Sequence, residues 1–177
     1  IKNGLRSEID SRADRFFALY ADNVRRHGTP ALPKRYFETL LAQFGADCEI
    51  LTVTAPDGRA LSSVLSFYFR DEVLPYYARD LAANDFKYWA LLRGACGRGL
   101  KVFDFGRSKQ ETGSYAFKKN WGFEPRPLHY EYCLYGRDAI PQNNPSNPKY
   151  KLLIAAWRRI PIGLANLLGP FVVRNLG

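Results

Sequence analysis

Methionine is absent from the 177 residues, cysteine occurs three times and histidine twice. Cys48, Cys96 and Cys133 are odd in number and widely spaced, with no C-x-x-C pair. That pattern excludes a disulfide framework and reads as reduced, buried thiols of a cytoplasmic protein. His27 and His129 lie far from the cysteines, so no zinc-ligand spacing exists and no metal is expected. No local pattern favours a Cys–His catalytic pair either. Apolar runs stay short of the ~18 residues that a membrane span requires. The opening Ile1-Lys2-Asn3-Gly4 lacks the regions of a signal peptide. With no initiator methionine, the chain reads as a domain of a longer protein.

Acids are scarce in the second half. Residues 1–100 carry 14 basic and 12 acidic side chains, whereas residues 101–177 carry 12 and 5, with none after Asp138. The net charge of +9 is therefore concentrated where it would face an anion: a phosphorylated substrate, RNA or a lipid headgroup. A basic surface that only aids solubility fits the same count. Apolar residues make up 46% of the chain and aromatics 15%, enough for one substantial core.

Periodicity predicts the elements. Asp10-Ser11 caps a helix reaching about His27, with Phe16, Phe17, Tyr20 and Val24 as its apolar stripe. Pro33 opens a second helix ending at Phe44. Cys48–Thr54 and Leu61–Arg70 form a hairpin about Pro56-Asp57-Gly58, and Val73–Tyr77 is a short third strand. A helix over 84–95 and a buried strand over 100–105 make a crossover, whose ends commonly bound a ligand crevice. Ser114–Asn120 is a short helix and Pro127–Tyr135 a final alternating strand. An Asn/Pro loop over 141–148 leads to a helical tail interrupted at Pro161 and Gly163. The order is that of an α/β layer on a mixed sheet.

Two glycine motifs mislead. Asp104-Phe105-Gly106 spells the magnesium motif of protein kinases, but no H-R-D loop or V-A-I-K lysine accompanies it. Gly94-Ala95-Cys96-Gly97-Arg98-Gly99 ends a helix before a strand, the reverse of a dinucleotide fingerprint. The segment 103–125, FDFGRSKQETGSYAFKKNWGFEP, is more informative. Thr112 or Ser114 can cap the helix whose free amides would hold an anion, and Gly113 lets a ligand approach. Arg107 and Lys109 precede that end, and Lys118 can swing towards it. The alternative is a solvated basic loop over an ordinary core of Phe117 and Trp121.

This segment, with Pro127-Leu128-His129-Tyr130-Glu131-Tyr132, resembles the FemAB-like proteins of exosortase/PEP-CTERM systems. Leu65–Glu72, Ala82–Phe86 with Tyr88-Trp89, and Asn147-Pro148-Lys149-Tyr150 extend the resemblance over nearly the whole chain. It implies a GNAT-like (acyl-CoA N-acyltransferase) fold: a mixed, mainly antiparallel sheet flanked by helices, with a C-terminal helical tail. It also implies transfer of an acyl or aminoacyl group to an amine on a cell-envelope or exopolysaccharide precursor. Phe117-Lys118 followed by Trp121-Gly122 matches the Fem F-K-x-x-F-G pattern, which gives Lys118 the role of holding substrate phosphate and stabilising charge, with Lys119 as fallback. Asp104 and Gly106 match the preceding D-F-G-G stretch, so Asp104 would orient a cation or accept the amine's proton. A salt bridge from Asp104 to Arg107 or to a buried base is the structural alternative. Arg107, Lys109, Ser114, Tyr115, Lys119, Asn84 and Tyr88 are the expected substrate-binding residues.

The resemblance further implies two GNAT-like lobes in one chain, of which this is the second. Residues 1–9 are then a linker or the tail of the first lobe, 10–138 the catalytic-type domain and 139–177 the loop and tail. No tightly bound cofactor is expected, and the donor is aminoacyl-tRNA or acyl-CoA. The Q/R-x-x-G-x-G/A loop of acetyl-CoA enzymes is not visible, because Arg93-Gly94-Ala95-Cys96 fails at its first glycine. The connection through Ala78-Arg79-Asp80 is shorter than in the family. Expected partners are a phosphorylated envelope precursor, tRNA, the preceding lobe and, through residues 150–176, the inner face of the membrane. For that basic, apolar tail, packing on its own domain is the competing reading. A non-catalytic lobe that binds a phosphorylated precursor is the alternative function.

Overall fold

The computed structural model describes residues 4–80, 83–136, 140 and 151–174. The chain clusters into two compact units, residues 1–104 with 152–177 and residues 105–151. The Asn/Pro loop over 141–148 and the 147–150 motif lie outside the described residues.

The larger unit is built on a five-stranded sheet whose spatial order is its chain order. The strands are β1 (Arg6–Asp10), β2 (Cys48–Thr54), β3 (Ala60–Phe69), β4 (Glu72–Asp80) and β5 (Val102–Phe103). The first three pairings are antiparallel and β4–β5 is parallel. A parallel neighbour requires a crossover, and α3 (Asn84–Gly97) supplies it.

Alternation along β2 separates two cores. Cys48 and Ile50 join Phe16, Tyr20 and Val24 of α1 (Asp14–Arg26) and Phe37 of α2 (Lys34–Phe44). Leu51 and Val53 join Val64, Val73 and the α3 residues Ala90, Leu91 and Ala95. Phe37 meets Phe16 and Tyr20 edge-on, at centroid distances of 5.0 and 4.8 Å. Each such fully buried ring is worth about 1.5–3 kcal/mol from apolar burial alone.

A polar chain crosses the α1 side of the sheet. Arg15 Nε donates to Asp10 Oδ2 at 3.2 Å, and its Nη2 pairs with Asp10 Oδ1. Thr52 Oγ1 donates to Asp10 Oδ2 at 2.7 Å and lies 2.8 Å from Ser63 Oγ. Since Thr52 gives its one proton to Asp10, Ser63 shares its own between Thr52 and the Leu51 carbonyl, 3.2 Å away.

Several sequence expectations need correction. The first helix starts at Asp14, and Asp10 ends β1. Residues 6–9 are thus paired with β2. β4 runs on through Asp80, so the short connection at 78–80 is strand. The buried strand over 100–105 shrinks to Val102–Phe103, with Val102 exposed. Residues 127–135 form no strand: among the described residues no strand pairs with them, and Leu128, Tyr130, Tyr132 and Leu134 are all exposed. Of the cysteines only Cys48 is buried; Cys96 and Cys133 are exposed.

The tail forms α5 (Lys151–Arg159) and α6 (Ile162–Val173), broken at Pro161, while Gly163 lies within α6. Arg25 of α1 donates to the carbonyls of Arg158 (2.8 Å) and Ile160 (3.4 Å), satisfying acceptors that a helix end leaves open. A Cβ on Gly169 would stand 2.8 Å from the Ala31 carbonyl oxygen.

The smaller unit is organised by Phe105. Its ring meets Phe123 at 4.7 Å and Phe117 at 6.2 Å, both nearly perpendicular, and Phe117 tilts onto Trp121. Among the described residues of this unit α4 (Gly113–Asn120) is the one helix, stopped at Gly122 with φ +82°.

Candidate active site

Six of the predicted site residues fall in the smaller unit, on the segment from Gly106 to Asn120. Gly106 turns the chain with φ +67°. Thr112 is the helix cap: its Oγ1 accepts from the Tyr115 N–H at 3.3 Å and donates to the Lys109 carbonyl at 2.7 Å. Ser114 Oγ stands 3.0 Å from Thr112 Oγ1. The helix start is therefore fixed to the loop before it.

Lys118 does not reach for that helix start. Its ammonium donates back to the carbonyls of Gly106 (2.9 Å) and Arg107 (3.2 Å), 5.5 Å from the centre of the Phe105 ring. Two carbonyls and an aromatic face stabilise a cation. Arg107 Nη1 is 3.5 Å from the Tyr130 hydroxyl, at the limit of a hydrogen bond. Arg107, Lys109, Ser114 and Lys119 are exposed and Tyr115 is half-buried. The result is a basic loop with one lysine fixed and several cations facing outward.

The other three predicted residues belong to the larger unit. The Asp104 N–H donates to the Val73 carbonyl at 3.0 Å, prolonging the β4–β5 ladder, and its side chain is exposed. Asn84 opens α3, half-buried. Tyr88 is buried, with the Lys87 ammonium 4.7 Å from its ring centre.

Sequence reasoning missed two features here. Lys87 is only 1% exposed, yet it looks like an ordinary polar position of a helix. The second is a bulge in β4. Leu65 pairs with Tyr77 but Ser66 with Pro75, leaving Tyr76 as the extra, exposed residue. Bulges re-aim side chains, and proline in a strand is the available signal. Beside it Tyr77 Oη lies 3.3 Å from Tyr36 Oη. Burial, reinforced by that hydroxyl, pushes the Tyr77 phenol far above its ordinary range. Burial likewise raises Tyr68 to about 12, with Glu49 adding to it.

β4 and β5 pair only at Glu72–Val102 and Val73–Phe103, after which β4 continues for seven residues. The sheet is otherwise antiparallel, and this one short parallel pair is entered through α3. Residues 4–119 match the acetyltransferase (GNAT) domain. The chain belongs to the GNAT family.

A relative outside the solved structures is the UDP-N-acetylmuramoylpentapeptide-lysine N(6)-alanyltransferase of Weissella viridescens, 26% identical over 115 residues. That match covers 59% of this chain and 34% of the relative, so this GNAT chain spans about a third of that protein's length. Among solved structures, a ribosomal-protein-alanine N-acetyltransferase from Brucella melitensis aligns with TM-score 0.55 and 11% identity, over 74% of this chain and 99% of its own. The ribosomal-protein-S18-alanine N-acetyltransferase of Escherichia coli gives 0.54 and 13%, over 70% and 79%. At these identities the structures establish the GNAT fold alone. Arg93–Cys96, which failed as a pyrophosphate loop in sequence, lie within α3. Among the described residues no helix is long and apolar enough to cross a membrane.

Proposed function

We propose that this chain is an N-acyltransferase lobe that moves an acyl or aminoacyl group onto an amine of a cell-envelope or exopolysaccharide-related precursor. The observation that carries the reading is the extent of the GNAT match. It runs from residue 4 to residue 119 and so takes in Lys118, whose ammonium is held on the Gly106 and Arg107 carbonyls. The alanyltransferase relative supports an aminoacyl donor, and the absence of a Q/R-x-x-G-x-G/A loop weighs against acetyl-CoA. Resemblance to exosortase-associated FemAB-like proteins supports an exopolysaccharide-related acceptor. In this reading the chain works beside a second lobe of a longer protein on the cytoplasmic side of the membrane, where charged tRNA and CoA thioesters are found.

The acceptor amine attacks the carbonyl carbon of the ester or thioester and forms the new C–N bond. The carbonyl electrons move to oxygen, and Lys118 faces the charge that develops there or on the substrate phosphate. Collapse expels the tRNA hydroxyl or CoA thiol, which takes up the proton that the amine has lost. Asp104 is the exposed carboxylate assigned to receive that proton in transit. Arg107, Lys109 and Lys119 attract the phosphorylated substrate, and Ser114 and Tyr115 flank it. Asn84, half-buried at the start of α3, is assigned to substrate binding with Tyr88, which is buried beside it.

The deciding experiment offers labelled aminoacyl-tRNA and labelled acetyl-CoA in parallel to the full-length protein, with a cell-envelope extract as acceptor. Transfer from tRNA is the expected result, and transfer from acetyl-CoA alone reassigns the donor. No transfer from either, with phosphorylated precursor still bound, establishes the second reading, a non-catalytic binding lobe. The exposure of Arg107, Lys109 and Lys119 favours that second reading as much as the first.

A further inference from the structure

In a helix lying on a domain surface, the large apolar side chains ordinarily face inward. The helix α6 is reversed. Its inner face carries Ala165, 3% exposed, and the buried Gly169, one turn apart, with Gly169 against the Ala31 backbone. Leu164, Leu167, Leu168 and Phe171 follow the i, i+3, i+4, i+7 spacing of the opposite face. All four are exposed, Leu167 at 65% and Phe171 at 68%. From Ile160 to Val173 there is no charged residue.

The residues that flank this stripe in sequence carry charge of one sign. Arg158 and Arg159 precede α6, Arg174 follows it, all three are exposed, and no acid occurs after Asp138. The face is also held in place. Arg25 grips the Arg158 and Ile160 carbonyls at one end, and Gly169 sits on Ala31 near the other. With 12 residues α6 is about 18 Å long, too short for the ~30 Å hydrocarbon core. It can lie in the membrane plane but not cross.

We propose that the outer face of α6 seats on an anionic membrane surface, with Leu164, Leu167, Leu168 and Phe171 entering the headgroup boundary and Arg158, Arg159 and Arg174 facing lipid phosphates or carboxylates. Arginines at both ends of an uncharged apolar stripe complement anionic lipid. This rests on α6 alone and stands whether or not the chain transfers acyl groups.

The test is co-sedimentation of the full chain with phosphatidylcholine vesicles, with and without phosphatidylserine, at low and high salt. The parent binds the anionic vesicles. Leu167→Glu with Phe171→Glu lowers partitioning by about a hundredfold or more. Arg158→Gln with Arg159→Gln lowers it about fivefold per arginine, and salt weakens what remains. Thermal unfolding checks that each variant is folded, and Leu167→Gln, at a position 65% exposed, is the milder variant for comparison. Three results overturn the proposal. One is no sedimentation at low salt. Another is sedimentation that the Leu167 and Phe171 changes leave intact. The last is a concentration-dependent dimer, abolished by those changes, in a chain that ignores vesicles.

Discussion

Lys118 Nζ lies 2.9 Å from the Gly106 carbonyl oxygen and 3.2 Å from that of Arg107, so a lysine near the end of α4 ties down the loop that precedes the helix. One side chain thereby links the geometry of the basic loop to the position of a cation.

Lys118→Ala is expected to reduce transfer by about 10²–10³-fold, the range for loss of one oxyanion donor. Lys118→Arg restores little, because a planar guanidinium does not reproduce a compact ammonium on two carbonyls. Release of the loop also speeds tryptic cleavage after Arg107. Single-turnover rates and a proteolysis time course check both parts. Parent-like turnover in Lys118→Ala removes the assigned role.

Gly169→Ala places a methyl carbon 2.8 Å from the Ala31 carbonyl oxygen, where backbone must give way. Overpacking of this kind destabilises by about 1–3 kcal/mol, and each kcal/mol lowers the melting temperature of a chain this size by about 2–4 °C. Differential scanning calorimetry reads the shift. An unchanged melting temperature would mean that α6 does not rest on Ala31.

Burial pushes the Cys48 thiol up to about 11, with Glu49 adding to it. A folded-state value above the unfolded one makes a contribution present in full below the unfolded pKa, near 8.5. That contribution is lost as pH rises through about 11. Stability therefore declines across that alkaline window, and Cys48→Ala flattens the decline. In the native protein at pH 8 the exposed Cys96 and Cys133 react with a thiol reagent, and Cys48 reacts only on unfolding. Rapid titration of all three thiols without denaturant contradicts the buried placement.

Removal of Asp10 leaves Arg15 and the buried Thr52 without their shared acceptor. Asp10→Ala should destabilise by about 1.5–3 kcal/mol, the range for hydrogen bonds to a charged group, and Thr52→Val by about 1 kcal/mol. The double variant should fall short of their sum, since the two residues share one bond. Urea unfolding of the four proteins measures the coupling; strict additivity would deny that the chain across β1, β2 and β3 acts as a unit.

The elements legible in the sequence were those whose pattern reports their own burial. The α1 stripe of Phe16, Tyr20 and Val24, the end of α2 at Phe44 and the alternation of β2 all survive in the structure. β1 was missed because Arg-Ser-Glu-Ile-Asp has one apolar residue, so its strand character comes from pairing with β2 and not from its own side chains. Residues 127–135 err the other way: alternation supplies a face, but a strand also needs a neighbour's edge. At the candidate site, glycines and cations marked the loop. The direction of Lys118 was not legible, because it depends on carbonyls eleven and twelve residues away presented by a turn at Gly106.

Because sheet order equals chain order, every strand finds its partner in the strand just before or after it. The hairpins β2–β3 and β3–β4 close short loops and can form early. The tail is the opposite case: Arg25 and Arg158 are separated by 133 residues. The α5–α6 hairpin therefore docks late in refolding and detaches first under stress. Amide exchange should record it as the least protected helical layer of its unit, with opening possible while the sheet stays closed.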